Sequence, residues 1–123
     1  LERLHSLKTG ALIVASVELG ALSQSQVSAE QIDYLRTYAQ AIGLAFQVQD
    51  DILDIESDTA TLGKTQGSDL INDKSTYPSL LGMTAAKMRL MELHQQAKVS
   101  VLGFGTAAEP LIWLADFIVS RKH

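Results

Sequence analysis

An all-α fold is what this sequence predicts, on three observations. Nowhere do apolar and polar residues alternate as they would along a half-buried strand. Apolar residues instead recur at spacings of three and four in several separate stretches. Two Ser/Thr-x-x-Glu/Gln capping boxes, Ser28 with Gln31 and Thr106 with Glu109, head two of those stretches. With 123 residues, 46% of them hydrophobic, the chain has the length of one small domain and the material for a substantial core.

The elements follow in order. Residues 1 to about 23 read as a helix with Leu4, Ala11, Leu12, Ala15, Leu19 and Leu22 as its buried stripe. Lys8 falls on that stripe and either snorkels to its edge or aims at an internal anion. Gly10 could let the backbone bend there. The polar break after Gly20 ends at Ser28, and a long helix from about 29 to 56 follows. Residues 57–75, rich in Ser, Thr, Asp and Gly, read as a loop. A short helix at 76–82 carries Pro78 in its first turn and ends at Gly82. Thr84 would cap a helix at 85–102 whose stripe is Ala86, Leu90, Leu93, Ala97 and Val101; Gly103 and Gly105 close it. The last helix, 107–120, would bury Leu111, Leu114 and Ile118, with Trp113 and Phe117 near them, and Met83, Met88 and Met91 read as core filler. The chain opens on Leu1-Glu2-Arg3-Leu4 in apparent mid-helix, which suggests a piece of something longer.

One stretch stands out: Phe46-Gln47-Val48-Gln49-Asp50-Asp51-Ile52-Leu53-Asp54. At 3.6 residues per turn, Gln47, Asp50, Asp51 and Asp54 share an arc about 100° wide. The rest of the circumference is apolar apart from Gln49, so the helix should be buried and its acidic stripe should face an internal cavity. Like charges at about 4 Å cost on the order of 4 kcal/mol per pair at an effective dielectric near 20. A cation among them relieves that cost, and oxygen-only ligands open to a shared phosphate suit Mg²⁺. An ordinary solvated acidic face would interleave Lys or Arg, which this stripe lacks.

Other chemistries drop out. Without cysteine there is no disulfide, zinc–thiolate site or thiol nucleophile, a composition compatible with a reducing, cytoplasmic setting. A net charge of −4 argues against a nucleic-acid surface. No uninterrupted apolar run approaches 18 residues, so no membrane span is expected. His5, His94 and His123 form no zinc-binding pair, and no Gly-x-Ser-x-Gly elbow occurs. Gly63-Lys64-Thr65 looks like the tail of a P-loop, but Asp58 stands at the first glycine position and the segment follows a helix rather than a strand. What remains there is a loop bearing Lys64 and Lys74, just after the carboxylates.

Taken together, Phe46-Gln47-x-x-Asp50-Asp51-x-x-Asp54, then Gly63-Lys64-x-x-Gly67-x-Asp69, then Lys74-Ser75-Thr76-Tyr77-Pro78, with His5-x-x-Lys8-Thr9-Gly10 upstream, resemble the ordered motifs of the trans-isoprenyl diphosphate synthases, nearest to bacterial short-chain enzymes of the farnesyl diphosphate synthase (geranyltranstransferase) type. The resemblance spans the chain and implies the C-terminal part of an isoprenoid-synthase helical bundle, residues 1–123 forming a fragment of one prenyltransferase domain. It implies condensation of an allylic diphosphate (dimethylallyl or geranyl) with isopentenyl diphosphate, in a cytoplasmic enzyme that is a homodimer when intact. By the same resemblance Asp50, Asp51 and Asp54 would bind Mg²⁺. Lys8, Lys64 and Lys74 would hold the allylic diphosphate. Thr9 and Gln47 would face the carbocation, and Lys8, Thr9 and Gln47 form the catalytic group. Phe46, Arg121 and Lys122 would border the isopentenyl site, and Asp69 would support the metal ligands from behind. The family's first aspartate-rich motif has no counterpart, since Asp50-Asp51 is the sole Asp-Asp pair. This chain alone is therefore expected to be inactive. A non-catalytic helical partner subunit or diphosphate-binding module, and a terpene cyclase of related fold, are the alternatives.

Overall fold

The computed structural model describes residues 2–23, 26–62 and 77–122. In chain order the described elements are α1 (Glu2–Leu22), α2 (Ala29–Leu62), α3 (Tyr77–Leu81), α4 (Met83–Val101), a 3-10 segment (Leu102–Ala108) and α5 (Glu109–Ser120); among the described residues there is no strand. The organising element is α2. It packs on α1 along one side and on α4 along another, and it also touches α3 and α5.

The capping box that starts α2 is formed in both directions. The Gln31 N–H donates to Ser28 Oγ at 3.1 Å, and the Ser28 N–H donates to Gln31 Oε1 at 3.0 Å. The helix runs 34 residues, about 51 Å at 1.5 Å per residue. It continues six residues past the predicted end. Ser57, Asp58, Thr59 and Thr61 are weak helix formers and read as loop, but none of them stops a helix already propagating, and neither Gly nor Pro occurs between Gly43 and Gly63.

Tyr38, Ala41, Ile42, Ala45, Val48 and Ile52 of α2 build the core with Ala86, Leu90, Leu93, Ala97 and Val101 of α4, and with Ala108, Ala115 and Ile118. The α4 stripe is the predicted one, residue for residue. The cap is not: Gly82, at φ 86°, precedes Met83, and Thr84 is exposed inside the first turn. Thr106 likewise sits in the 3-10 segment, and α5 starts after Ala108 with Pro110 in its first turn. Gly105, at φ 64° and ψ −138°, makes the break between α4 and α5. The Tyr38 hydroxyl donates to the Leu111 carbonyl at 2.6 Å, and burial pushes its pKa up to about 12, so it stays a donor. Lys87 Nζ reaches Glu56 Oε2 at 3.0 Å, tying α4 to α2.

Three packing expectations are overturned. On α1 it is Gly10, Ile13, Val14, Val17 and Ala21 that turn inward, while Leu12 and Leu19 are 66% and 69% exposed and Ala11 and Ala15 are also outside. This helix is apolar on both sides, so periodicity alone could not choose the face that meets α2. Gly10 lies within the continuous helix α1. It faces Gly43, where an added Cβ would stand 3.5 Å from the Gly10 Cα, an ordinary van der Waals separation. Met88 and Met91 are exposed rather than core, and Trp113 and Phe117 stack on each other outside, ring centroids 5.3 Å apart.

The run Met83–Ser120 contains an 18-residue window apolar enough, by length and composition, to cross a membrane. That averaged measure tolerates two charges where a strict apolar run does not. In the structure the run is α4 and α5 broken by the 3-10 segment at Gly105, whereas a span needs its backbone hydrogen bonds satisfied within one helix.

Candidate functional site

The second half of α2 carries the acidic stripe beside the buried core. The helix delivers Gln47 buried, at 5% exposure; Phe46, Asp50 and Asp51 half-buried; and Asp54 exposed. The stripe therefore lies at the edge of this chain and not in a closed cavity, a correction to the expectation drawn from the helix being apolar nearly all round. α4 covers one flank of α2 and α1 the other, and no described element lies over Asp54. Among the described residues no three Asp, Glu or His side chains converge as a ready-made metal cage.

Gln47 lines a cleft of about 230 Å³ between α1 and α2, with Gly10, Ala11, Val14, Gly43 and Leu44 around it and Gln40 at its other end. The two facing glycines put no side chain into this part of the seam. Its walls are apolar apart from the two amides, and the Gln47 side chain makes no hydrogen bond among the described residues. A larger cleft, about 530 Å³, lies towards the other end of the α1–α2 hairpin, where Val17, Leu35, Phe104 and Leu111 contribute, and no predicted site residue lines it.

Arg121 is the residue the structure places least expectedly. Its Nη2 lies 2.5 Å from Asp50 Oδ1 and donates to the Phe46 carbonyl at 3.2 Å, and its guanidinium carbon sits 4.4 Å above the centre of the Phe46 ring. Such a charge-assisted bond with a stacked aromatic face is what a planar guanidinium is built for. So Phe46, Asp50 and Arg121 come together although 71 residues separate the last two. The agent is Gln49. Its buried side-chain N–H₂ donates to the carbonyls of Val119 at 3.1 Å and Arg121 at 2.9 Å, pinning the end of α5 to α2. Sequence reasoning gave Gln49 no role. Its signal was available as the lone polar residue in an otherwise apolar arc, and a buried amide needs partners.

Other predicted site residues are not gathered. Lys8 is exposed on α1, on the same outward face as Leu12 and Leu19. The register set by Gly10 against Gly43 and Glu18 against Arg36 puts Lys8 level with Ala45 and Phe46, about a turn short of Asp50. Thr9 belongs to α1, its side chain outside the described ones. Lys64, Asp69 and Lys74 lie outside the described residues. Lys122 is exposed and follows Arg121 into extended backbone.

Comparison with known proteins adds an independent line. The sequence model of a family described as polyprenyl synthetase matches residues 1–102. The chain is 47% identical over 125 residues to the farnesyl diphosphate synthase of Haemophilus influenzae and 49% identical over 125 residues to that of Escherichia coli, covering 99% of this chain in each case but only 41% and 42% of the relatives. It is 48% identical over 124 residues to a chloroplastic geranylgeranyl pyrophosphate synthase of Capsicum annuum, of which it covers 33%. The crystal structure of a candidate farnesyl-diphosphate synthase from Marinomonas sp. MED121 superposes with a TM-score of 0.77 at 46% identity, over 97% of this chain and 39% of that one. The chain thus spans about two-fifths of the length of the bacterial relatives it matches.

Proposed function

The chain belongs to the polyprenyl synthetase family, and from that premise we propose that it is the C-terminal part of a Mg²⁺-dependent prenyltransferase that joins an allylic diphosphate, dimethylallyl or geranyl, to isopentenyl diphosphate. The observation that carries the reading is one helical arc: Gln47, Asp50, Asp51 and Asp54 on α2, with the buried Gln47 at one end and the exposed Asp54 at the other. An apolar cleft beside Gln47 suits a hydrocarbon chain, and the carboxylates one to two turns away suit a cation that shares its oxygens with the diphosphate.

The donor set fits Mg²⁺ as a partial ligand sphere. Its atoms are carboxylate oxygens only, with Asp51 half-buried and Asp54 exposed at the edge of the chain. Asp50, Asp51 and Asp54 would hold the cation, which when bound neutralises the departing diphosphate. The chain's own residues then do four things. The Gln47 amide oxygen presents a fixed dipole to the carbon that becomes positive, in an apolar cleft. Lys8, Lys64 and Lys74 supply charge opposite the diphosphate, and Thr9 adds a hydroxyl beside Lys8. Phe46 and the basic residues Arg121 and Lys122 border the isopentenyl side, and Asp69 steadies the metal ligands. The intact enzyme is read as a cytoplasmic homodimer without a membrane span, and it has no need of nucleic acid.

On this reading the 123-residue chain alone has no turnover, because it holds one Asp-Asp pair where the reaction needs diphosphate clamped from both sides. Diphosphate release from geranyl and isopentenyl diphosphates with Mg²⁺ should stay at background. The same chain, exchanged for the matching region of the Escherichia coli relative, should restore a working synthase, and Asp50→Ala in that chimaera should lower kcat by at least about a hundredfold. A folded chimaera without activity would defeat the assignment. A non-catalytic subunit would give that result, and a terpene cyclase would release diphosphate without consuming isopentenyl diphosphate.

A further inference from the structure

The end of the chain does something its basic composition does not announce. The Arg121 side chain is only 12% exposed, against 36% for its partner Asp50, and its guanidinium faces α2 rather than solvent. The Phe46 carbonyl and ring occupy two further sides of the same group, and Arg121 Nε is buried without a hydrogen-bond partner. A cation waiting for an incoming diphosphate would keep its donors outward. Lys122, next in the chain and exposed, does so.

The tether is equally specific. Terminal residues fray unless tied down, and here Gln49, 6% exposed, holds both Val119 and Arg121 by their carbonyls from inside α2. An amide buried in the central helix fixes the backbone, and the backbone aims the guanidinium at the first carboxylate of the acidic stripe.

We propose that Arg121 is a built-in counter-ion of Asp50, a positioning residue that holds this carboxylate in the absence of a divalent cation and is displaced when one binds, and not a ligand of isopentenyl diphosphate. The proposal rests on the reading of the acidic stripe as the cation site. Arg121 neutralises the Asp50 carboxylate and keeps it oriented. The cation then meets a positive charge beside one of its ligands and binds less tightly than the carboxylates alone would allow.

The test is Mn²⁺ affinity of the 123-residue chain, read by the paramagnetic signal of the free ion. Arg121→Gln should bind Mn²⁺ about five- to tenfold more tightly than the parent, with the gap narrowing as salt is raised. Arg121→Lys, which keeps the charge, should stay within about twofold of the parent. Gln49→Ala, which leaves Arg121 in place but cuts its tether, should also tighten binding, and it covers the case in which Arg121→Gln fails to fold. Equal or weaker Mn²⁺ binding in Arg121→Gln and Gln49→Ala overturns the counter-ion role alone. So does a loss of metal-free pyrophosphate binding in Arg121→Gln with Mn²⁺ affinity unchanged, which would make Arg121 a diphosphate ligand. Failure of parent and variants alike to bind Mn²⁺ removes the metal assignment of the stripe and this proposal with it.

Discussion

At Gln47 the proposed role and the stability of the chain can be separated by one substitution. Its side chain lines an apolar cleft without a hydrogen bond among the described residues, yet its amide atoms are not among the buried unpartnered ones and so reach solvent through the cleft. A polar group that keeps its water carries no large desolvation cost. Gln47→Leu, similar in volume, should therefore leave the stability of the chain within about 0.5 kcal/mol in denaturant unfolding. In the chimaera the same change should lower kcat by at least about tenfold, because the dipole aimed at the developing positive carbon is gone. A less stable, fully active variant would contradict both halves of that argument. Gln47 and the three aspartates were legible from the sequence because their pattern is local: four polar residues on one arc of one helix. Arg121 was legible only as a basic residue near the end. That it belongs to Asp50, across 71 residues, depends on Gln49 pinning the end of α5, and no local spacing encodes such a contact.

Among the elements, α4 and α1 mark the two extremes of what periodicity reveals. The stripe of α4 recurs at regular three- and four-residue spacing, and Lys87, Arg89, Glu92, Gln95, Gln96 and Lys98 mark its other side, so Ala86, Leu90, Leu93, Ala97 and Val101 were read correctly even though Met88 and Met91 were not. α1 is apolar on both sides, and the side that packs on α2 carries Gly10, facing Gly43, rather than the larger Leu12 and Leu19. The loop predicted from residue 57 failed for a related reason: weak helix formers lower the propensity of α2 without breaking it. The α4–α5 pair is clamped outside its core by one carboxylate. Asp116 Oδ1 lies 2.6 Å from His94 Nε2 and 3.5 Å from Lys98 Nζ. The hydrogen bond from His94 and the charge of Lys98 hold the Asp116 carboxyl below its ordinary value of 3.8. A carboxylate depressed in the folded state adds stability above the unfolded pKa and loses it as pH falls through the folded one. The parent should therefore melt higher than Asp116→Asn near neutral pH, and the difference should close below pH 3.8. Melting curves of the two proteins across that range check it. A gap that is unchanged with pH would mean that Asp116 contributes shape and not charge.

For the whole molecule, the feature that needs an account is how much large apolar surface stays outside. Leu12 and Leu19 of α1, Met88 and Met91 of α4, and Trp113 and Phe117 of α5 are all exposed among the described residues. Single exposed apolar residues are common, but a row of them one to two turns apart on a helix is an interaction face. On α1 the row runs along the same side as Lys8, one to three turns from it. Relatives of this chain are more than twice its length. Fully burying a leucine gains about 1.5–3 kcal/mol. Leu12 and Leu19, each about two-thirds exposed, could therefore give about 2–4 kcal/mol per copy, doubled when two copies meet about a two-fold axis. The loss of free motion on association offsets at least about 4 kcal/mol of that. The net is at most about 4 kcal/mol, so the chain alone should associate with itself only in the millimolar range or more weakly. Sedimentation velocity over a dilution series should show the apparent mass rising with concentration. Leu12→Lys combined with Leu19→Lys should return it to a single monomeric boundary, while Met88→Lys with Met91→Lys should leave most of the association in place. A parent that stays monomeric at every concentration would mean that the outward row of α1 is no interface, and the breadth of its apolar surface would then need another explanation.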